Sequence, residues 1–513
     1  MSVSQGRLAA RVGAGILLTR ILGFVRERVF AHYFGDGPAA DAFRAALKIP
    51  NIIRNLLGEG TLSASFIPVY AAMIERGDED GARRLSGVVA SLLVLLTAVA
   101  AFAGIVLAPI ITDFAAPGFE GPRRELTIRL VRIMFPMSGV LILSAWCLGI
   151  LNTHRRFFLS YAAPALWNIA QIATLVTLGG VLLDVPLVTA LAWGALAGAL
   201  LQLAVQLPST LRLAGRVQWS LDLEVEGVRR VARAWLPVVF GAGVYQISSL
   251  VDQQLATLLP EGSVAILGYA QLIAVLPVSL FGASVANVAL PEMSRHAAGA
   301  DPDVVRRSVA HGIRRITFFT LPSAVAFAAL ATQIVGGLFQ TGAFGPAQTV
   351  LAAGVLAAYA IAIPAQASVK LFASGHYAFG DTRTPVRIAV LSVVVSAGSA
   401  YLLMQRFGPA GIALGAAIAA YLNSALNFAR LEPRLGAILG SAERRWVLVS
   451  ILATLPAAAA GVFVARLAAV GLVAQAAVSL LAFGVVYGVI VWAAGHPEAR
   501  RLLRRRVPGK SHP

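Results

Sequence analysis

The chain has 513 residues, of which 58% are hydrophobic and 13% charged, and its mean hydropathy is +0.78. This composition excludes a soluble globular protein, because one water-exposed domain cannot bury so much apolar surface. The formal net charge of +18 would suggest nucleic-acid binding in a soluble protein. Here, however, the basic residues lie in short loops between long apolar stretches, which is typical of a multi-pass membrane protein without a nucleic-acid partner.

The apolar stretches predict about fourteen transmembrane helices, since a helix of roughly 20 apolar residues crosses a hydrocarbon core about 30 Å thick. Arginine-rich loops alternate with loops nearly free of Lys and Arg, so both termini are predicted to be cytoplasmic and the first helix to be retained. The predicted spans are residues 8–32, 40–74, 86–112, 125–151, 160–182, 186–209, 230–258, 263–294, 312–335, 347–373, 384–404, 410–430, 446–468 and 472–494.

The first two predicted spans carry an unusual density of charge. An arginine or lysine at the centre of a membrane helix is disfavoured by about 2.5 to 3.5 kcal/mol, so such a cluster is expected to face a water-filled cavity or an anion. Pro50 is expected to bend the second span, and Asp41 to neutralise part of its own helix through Arg44. The charged residues are Arg20, Arg26, Arg28, Asp41, Arg44, Lys48, Arg54 and Glu59.

Two interpretations of these charges remain open. Arg28, Arg44 and Lys48 are equally consistent with side chains that snorkel to the membrane surface. Snorkelling is less consistent with Arg20, Arg26 and Arg54, because neighbouring cations repel in a low dielectric unless an anion or water separates them. The planar guanidinium fork matches a phosphate bidentately, so a diphosphate would suit all three.

Short sequence segments recur along the chain at nearly constant intervals. FAAPGFEGP at 114–122 resembles FQTGAFGP at 339–346, the segment ending at Pro164 resembles the one ending at Pro385, and ALKIP ending at Pro50 resembles IAVLP ending at Pro277. Each interval contains six predicted spans, so the copies run in the same direction and form parallel repeats. The predicted organisation is a first lobe (1–220), a second lobe (221–435), two further helices (436–496) and a basic tail (497–513).

Catalytic and cofactor signatures are missing from the sequence. It contains no nucleophile with a neighbouring base, no nucleotide-binding motif and no histidine spacing typical of a metal site, so neither an enzyme nor a cofactor is expected. Asp252, in the seventh predicted span, is the candidate for a monovalent cation site. The alternative is a carboxylate hydrogen-bonded to Gln246, Gln253 or Gln254.

The segment TRILGFVRERVFAHYFGDGPAADAFRAALKIPNIIRNLLGEGTLSASFIPVY resembles the signature region of the MurJ/MviN family of lipid II flippases. APGF at 116–119, ILNTHRRF at 150–157 and LFQTGAF at 338–344 extend the similarity over nearly the whole chain. The family belongs to the multidrug/oligosaccharidyl-lipid/polysaccharide exporter superfamily. The chain departs from many relatives at Gln271 and Leu272, where they have an Asp-Arg pair, and at the serines of the eleventh span.

The resemblance implies that two six-helix lobes form a V and that the last two helices line a groove for a polyprenyl tail. It also implies alternating access, in which lipid II crosses from the cytoplasmic to the periplasmic leaflet of the bacterial inner membrane. By position, Arg20, Arg26 and Arg54 would line the cavity for the diphosphate and sugars, and Asp41 would be functionally important. Membrane lipids and cell-wall synthesis proteins are the expected partners. A multidrug or cation antiporter, another polyprenyl-diphosphate oligosaccharide flippase and a membrane scaffold for cell-wall synthesis remain alternatives.

Overall fold

The computed structural model describes residues 3–215, 218–298, 302–468 and 470–504. They form α-helices joined mostly by short turns, with one longer connection between residues 214 and 228 and one π-helical turn, Val278–Gly282, between α11 and α12. The helices are α1 (Val3–Phe34), α2 (Pro38–Leu57), α3 (Glu59–Glu75), α4 (Glu79–Val106), α5 (Ala108–Ala115), α6 (Gly121–Thr153), α7 (Phe157–Ala162), α8 (Pro164–Leu178), α9 (Asp184–Ala214), α10 (Val228–Thr257), α11 (Ser263–Pro277), α12 (Ala283–Ala298), α13 (Pro302–Ala329), α14 (Ala331–Phe339), α15 (Pro346–Ala378), α16 (Arg383–Phe407), α17 (Pro409–Leu435), α18 (Ser441–Leu467), α19 (Leu472–Ala493) and α20 (Pro497–Arg504).

The structure confirms an all-helical, multi-pass membrane protein. Within the described residues, nine helices are long and apolar enough to cross a bilayer, or ten if α13 and α14, bent by 79° at their junction, form one span. Large apolar side chains point outward from these helices, with Phe102 71% and Leu402 72% exposed, as expected of surfaces that face lipid. Each predicted span lies on one helix or on a broken helix, while the count of fourteen stays a prediction.

The second predicted span, 40–74, is two helices rather than one. The helix continues through Pro50 to Leu57, and the interruption occurs at Gly58 instead of at the proline. Gly58 has φ −99° and ψ −134°, which is not helical, and its N–H donates to the Arg54 carbonyl at 2.7 Å. The expected bend at Pro50 stays a prediction, and the break at Gly58, about two turns of helix further on, was not predicted.

The chain divides into two compact units. The first comprises Met1–Ala265 and Thr341–Phe344, and the second Ile266–Gln340 and Gly345–Pro513. The core of the first unit is formed by fully buried side chains of α3, α4 and α6, including Phe66, Leu85 and Ile142. The predicted lobe boundaries at 220 and 435 stay a prediction.

The short segment Thr341–Phe344 belongs to the first unit although its neighbours belong to the second. The Ala343 N–H donates to the His32 carbonyl at 2.8 Å, and His32 Nδ1 lies 2.8 Å from Thr341 Oγ1. Gly342, at φ +54°, lies so close to His32 that a side chain there would collide with its carbonyl. The TGAF part of the LFQTGAF motif is therefore a turn that fastens onto the end of α1.

The second unit has its own core and includes the last helices. Val305, Leu371 and Leu431 are fully buried between α13, α15 and α17. Helix α19 is fastened to α13 by a hydrogen bond in which the Tyr487 hydroxyl donates to the Phe318 carbonyl at 2.8 Å. The two helices after the predicted repeats, α18 and α19, are thus packed parts of this unit.

The internal repeat is visible in the order and length of the helices. The short helix α5 is followed by a turn and then by α6, which has 33 residues. The short helix α14 is likewise followed by a turn and then by α15, which also has 33 residues, and a proline occupies the first turn of both long helices. The two turns are the segments whose similarity the sequence predicted.

Candidate functional site

An ion-pair cluster in the first unit contains one of the three arginines predicted to bind a diphosphate. Glu27 lies between two guanidinium groups: its Oε1 accepts from Arg26 at 2.6 Å and its Oε2 from Arg44 at 2.7 Å. Arg26 also stacks on the ring of Trp167, and Arg44 on that of Phe30. The carboxylate cancels one of the two positive charges, so this cluster is less cationic than the arginines alone suggested.

A small cavity adjoins this cluster. It has a volume of about 30 Å³ and is lined by both guanidinium groups, Glu27 and the side chain of Gln171, together with apolar side chains of α1, α2, α8 and α9. One water needs at least about 10 to 15 Å³ of such volume. The cavity therefore has room for one or two waters beside the charges, and a sugar would not fit in it.

Asp41 has a different environment from the one expected. It is 1% exposed, and its carboxylate accepts the backbone N–H groups of Gly262 and Ala265, both at 2.8 Å. Its ion-pair partner is Arg123 at 3.5 Å, whereas Arg44 pairs with Glu27. Because these N–H groups lie at the start of α11, Asp41 caps that helix from α2.

Lys48, a further charged residue of α2, contacts a helix distant in the sequence. Its Nζ donates to Ser249 Oγ of α10 at 2.6 Å. Asp252 lies one turn further along α10, and its Oδ1 is buried without a hydrogen-bond partner among the described residues. The charges of Lys48 and Asp252 attract each other from these two helices, although the two groups are not in direct ion-pair contact.

Two of the three amide partners suggested for Asp252 donate to other groups. Gln253 donates to the carbonyls of Ala45 and Ala115 at 3.5 and 3.3 Å, and Gln254 donates to the carbonyl of Phe114 at 2.6 Å. The expectation that either glutamine would hold the Asp252 carboxylate is therefore wrong. Both side chains fasten α10 to the backbone of neighbouring helices.

The remaining predicted arginines differ in exposure. Arg20 is exposed on α1, and it forms no ion pair with the described residues. Arg54 is half-buried in the last turn of α2, beside the break at Gly58. The side chain of Glu59 lies outside the described part of the chain.

Three residues that the sequence analysis did not single out complete these contacts: Glu27, Arg123 and Ser249. Glu27 had a signal, since it is the only acidic residue before Asp36 and is flanked by Arg26 and Arg28. Arg123 and Ser249 lie 82 and 201 residues from their partners, so spacing along the chain could not indicate the contacts. Within the described residues, no three His, Cys, Asp or Glu side chains are grouped to hold a metal ion.

Comparison with known families gives one consistent result. The family model described as "Lipid II flippase MurJ" matches residues 30–491. A protein of Rhizobium meliloti (strain 1021) named "Probable lipid II flippase MurJ" is 34% identical over 429 residues, which cover 82% of this chain and 79% of that protein.

Solved structures show the same fold at lower sequence identity. "Lipid II flippase MurJ, inward closed conformation" has a TM-score of 0.77 and 21% identity, covering 94% of this chain and 99% of that one. The inward-facing conformation of a multidrug resistance MATE family transporter has a TM-score of 0.69 and 15% identity, covering 84% of this chain and 98% of that one. At these identities the structural matches establish the fold alone.

Proposed function

This chain belongs to the MurJ family of lipid II flippases, and we propose that it binds the diphosphate of its lipid through Arg20, Arg26 and Arg54. It is a multi-pass protein of the bacterial inner membrane that translocates lipid II by alternating access. The observation that carries the assignment is the family match over residues 30–491, which covers most of the chain. The proposal adds no enzymatic activity and no cofactor to this role.

The charge of the first unit supports an anionic substrate. Arg20 is exposed and forms no ion pair with a described residue, and Arg26 and Arg44 share the single carboxylate of Glu27, so these three guanidinium groups exceed the one acidic group that pairs with them. A diphosphate would add the negative charge that this region lacks, and each guanidinium could bind it through two parallel hydrogen bonds. Undecaprenyl-diphosphate-linked precursors have this chemistry, and cell-wall synthesis proteins remain proposed partners.

The decisive experiment is complementation of a bacterial strain depleted of its own lipid II flippase. We expect the wild-type chain to restore growth, and Arg20→Ala, Arg26→Ala and Arg54→Ala each to impair it at near-normal protein levels. Lysine at these positions should rescue only partly, since it lacks the planar fork. Arg129→Ala, which changes an exposed arginine, is the control expected to behave like wild type. Normal growth with all three arginines replaced would rule out the diphosphate role.

A cationic substrate is the second candidate, because the structural similarity to a multidrug resistance transporter is also extensive. The two functions need opposite charge in the binding region. Saturable binding of lipid II, with weak binding of a cationic dye, to the purified protein supports the flippase. Preferred binding of the dye would instead support a multidrug or cation antiporter.

Both termini are proposed to be cytoplasmic, from the alternation of arginine-rich loops. In a Cys147→Ser background, Glu261→Cys and Ala347→Cys should react with an impermeant thiol reagent added outside the cell, and Asp80→Cys and Ser441→Cys should not. All four positions are exposed, so failure to react reflects the side of the membrane. External labelling at Asp80→Cys or Ser441→Cys would reverse the orientation.

The energy source is proposed to be the membrane potential. A charge that moves through the whole field changes energy by about 2.3 kcal/mol per 100 mV. An inside-negative potential would favour the state in which the arginines lie nearer the cytoplasm, where the precursor is collected. Dissipating the potential should then slow translocation more than removing sodium does, and Asp252→Asn should be milder than Arg26→Ala.

A further inference from the structure

We infer that the ammonium group of Lys48 is the resident cation of the Asp252 carboxylate, so that this site takes up no monovalent cation from solution. In the wild-type chain the lysine fills the position that a sodium ion would otherwise occupy. The inference concerns the energy source of the proposed translocation, and in that respect it rests on the proposed function. Cation binding to the purified protein can be measured independently of translocation.

The geometry brings the three groups to one place in the first unit. Lys48 Nζ and Ser249 Oγ are 2.6 Å apart, which fixes the position of the ammonium group beside α10. Ser249 and Asp252 are spaced i,i+3 on α10, so their side chains project from the same face of that helix. The ammonium group therefore lies beside the turn that carries the carboxylate.

In its ionised form, the Asp252 carboxylate needs a compensating positive charge. Its Oδ1 is buried and has no hydrogen-bond partner among the described residues. Transfer of an ionised carboxylate out of water is strongly unfavourable unless a charge or hydrogen bonds compensate it. Gln253 and Gln254, the adjacent amides, donate to backbone carbonyls instead. Lys48 is left as the group that can supply the charge.

Lysine suits this role better than arginine would. Its ammonium is a compact point charge on a flexible stem of four carbons, with three donors that can turn toward different acceptors. One donor is used by Ser249, and the other two remain available for the carboxylate or for water. The flexible stem allows the ammonium to turn from the hydroxyl toward the carboxylate one turn along α10.

Removing the lysine should convert this site into one that binds a free cation. Lys48→Ala would leave the Ser249 hydroxyl, the Asp252 carboxylate and the space of the missing side chain. Hard cations prefer such oxygen ligands, with water completing the shell. The variant is expected to acquire a sodium response that the wild type lacks, and Asp252 is expected to be necessary for it.

The test is the thermal unfolding midpoint of the full-length protein in detergent, in sodium chloride and in choline chloride of equal concentration. The wild type should unfold at the same temperature in both salts. Lys48→Ala should unfold several degrees higher in sodium, because a cation that binds only the folded state stabilises it by RT ln(1 + [L]/Kd). Lys48→Ala combined with Asp252→Asn should lose this difference.

Lys370→Ala is the matched control, since it removes the lysine of α15, which lies in a different unit. It should show no sodium response. If Lys48→Ala does not fold, Lys48→Met keeps most of the apolar stem and removes only the charge, and it should show the same response. A sodium shift in the wild type, or a folded Lys48 variant without one, would overturn the inference.

The two proposals fail separately. If the salt experiment gives the expected pattern but the chain does not complement a strain depleted of its lipid II flippase, the cation site stands and the proposed function fails. If complementation succeeds but the purified wild type is stabilised by sodium, the function stands and Lys48 is not the resident cation.

Discussion

Helix α2 and its counterpart in the second repeat, α11, share a backbone pattern and differ completely in charge. Pro50 and Pro277 are 227 residues apart, which aligns Arg44 with Gln271, Lys48 with Val275 and Arg54 with Phe281. Both helices are followed by an irregularity, the break at Gly58 in the first copy and the π-helical turn Val278–Gly282 in the second. In this alignment Gly58 corresponds to residue 285, so the two interruptions lie at different places, and only the first copy has cations.

The neighbours of the two helices changed together with their charges. In the first copy, Arg44 is held by Glu27 and Lys48 by Ser249. In the second copy, Phe281 stacks on Phe319, with ring centroids 4.5 Å apart and planes 4° apart. A membrane protein can thus keep the shape of a helix pair while the side chains specialise for ions in one copy and for apolar packing in the other.

The largest effect should follow the loss of Asp41, since it ties α2 to the start of α11. Asp41→Ala leaves two backbone N–H groups and Arg123 without their acceptor. Breaking a buried ion pair by removing one partner typically destabilises a protein by about 3 to 5 kcal/mol. We expect a loss of that order in the free energy of unfolding in mixed micelles, and low protein levels in the membrane.

The matched control for Asp41→Ala is Asp113→Ala, because Asp113 also pairs with an arginine, Arg124, which follows Arg123 in the chain. Asp113 accepts from Arg124 at 2.6 and 2.8 Å, but both side chains are exposed, so Asp113→Ala should change stability little. Asp41→Asn, which keeps one acceptor oxygen, should lie between the two. If Asp41→Ala were as stable as Asp113→Ala, the Asp41 cap on α11 would contribute nothing to the free energy of unfolding.

A smaller effect is expected from separating Glu27 and Arg44. Arg44→Gln gives α2 the residue that α11 has, and Glu27→Gln removes the carboxylate from the other side of the pair. Groups in direct ionic contact typically show coupling energies of about 0.5 to 3 kcal/mol. In a double-mutant cycle, the two changes should be less than additive, because either one alone breaks the contact.

The same two variants also test whether Glu27 limits the binding of lipid II by Arg26. Glu27→Gln also frees the Arg26 guanidinium, so it should raise the affinity of the purified protein for lipid II, while Arg44→Gln should not. Equal affinities of the two variants and the wild type would mean that the Glu27 cluster lies outside the binding region.

His496, which follows α19, is expected to make the stability of the second unit depend on pH. Glu498 lies 3.2 Å from Arg314, and the imidazole of His496 is fully buried against Phe318 and Trp446. Burial lowers the pKa of His496 from 6.5 to about 4, since it disfavours the charged imidazolium. The unfolded chain therefore binds the proton first, and stability is lost as the pH falls from about 6.5 to about 4.

The expected size follows from this shift. Between pH 6 and pH 5 the free energy of unfolding should fall by about 1 kcal/mol through this residue. His496→Phe should remove that part of the acid sensitivity, whereas His32→Gln, which changes an exposed histidine, should retain it. Identical pH profiles for the wild type and His496→Phe would show that the ring can be protonated in place.

The sequence predicted the elements and the positions of charge, and it could not predict the partners. The length of the apolar stretches predicts the helices, and the alternation of arginine-rich loops predicts their orientation. Both signals depend on residues close together in the chain. Asp41 was identified as important, but its acceptor role depends on Gly262 and Ala265, more than 200 residues away. The break between α2 and α3 at Gly58 was not predicted, because a single glycine within a long apolar stretch does not by itself indicate an interruption.

The smallest effect should come from Gln271, the residue that the second copy has in place of Arg44. It is half-buried on α11, and it has no hydrogen bond to a described residue, so Gln271→Ala should change the free energy of unfolding by no more than about 0.5 kcal/mol. Translocation measured by complementation should also stay at the wild-type level, because no cation is removed. Severe loss of growth with normal protein levels would mean that α11 contacts the substrate through a neutral side chain. In that case both repeats would bind the lipid, the first through cationic side chains and the second through neutral ones. Substrate binding would then not be confined to the first repeat.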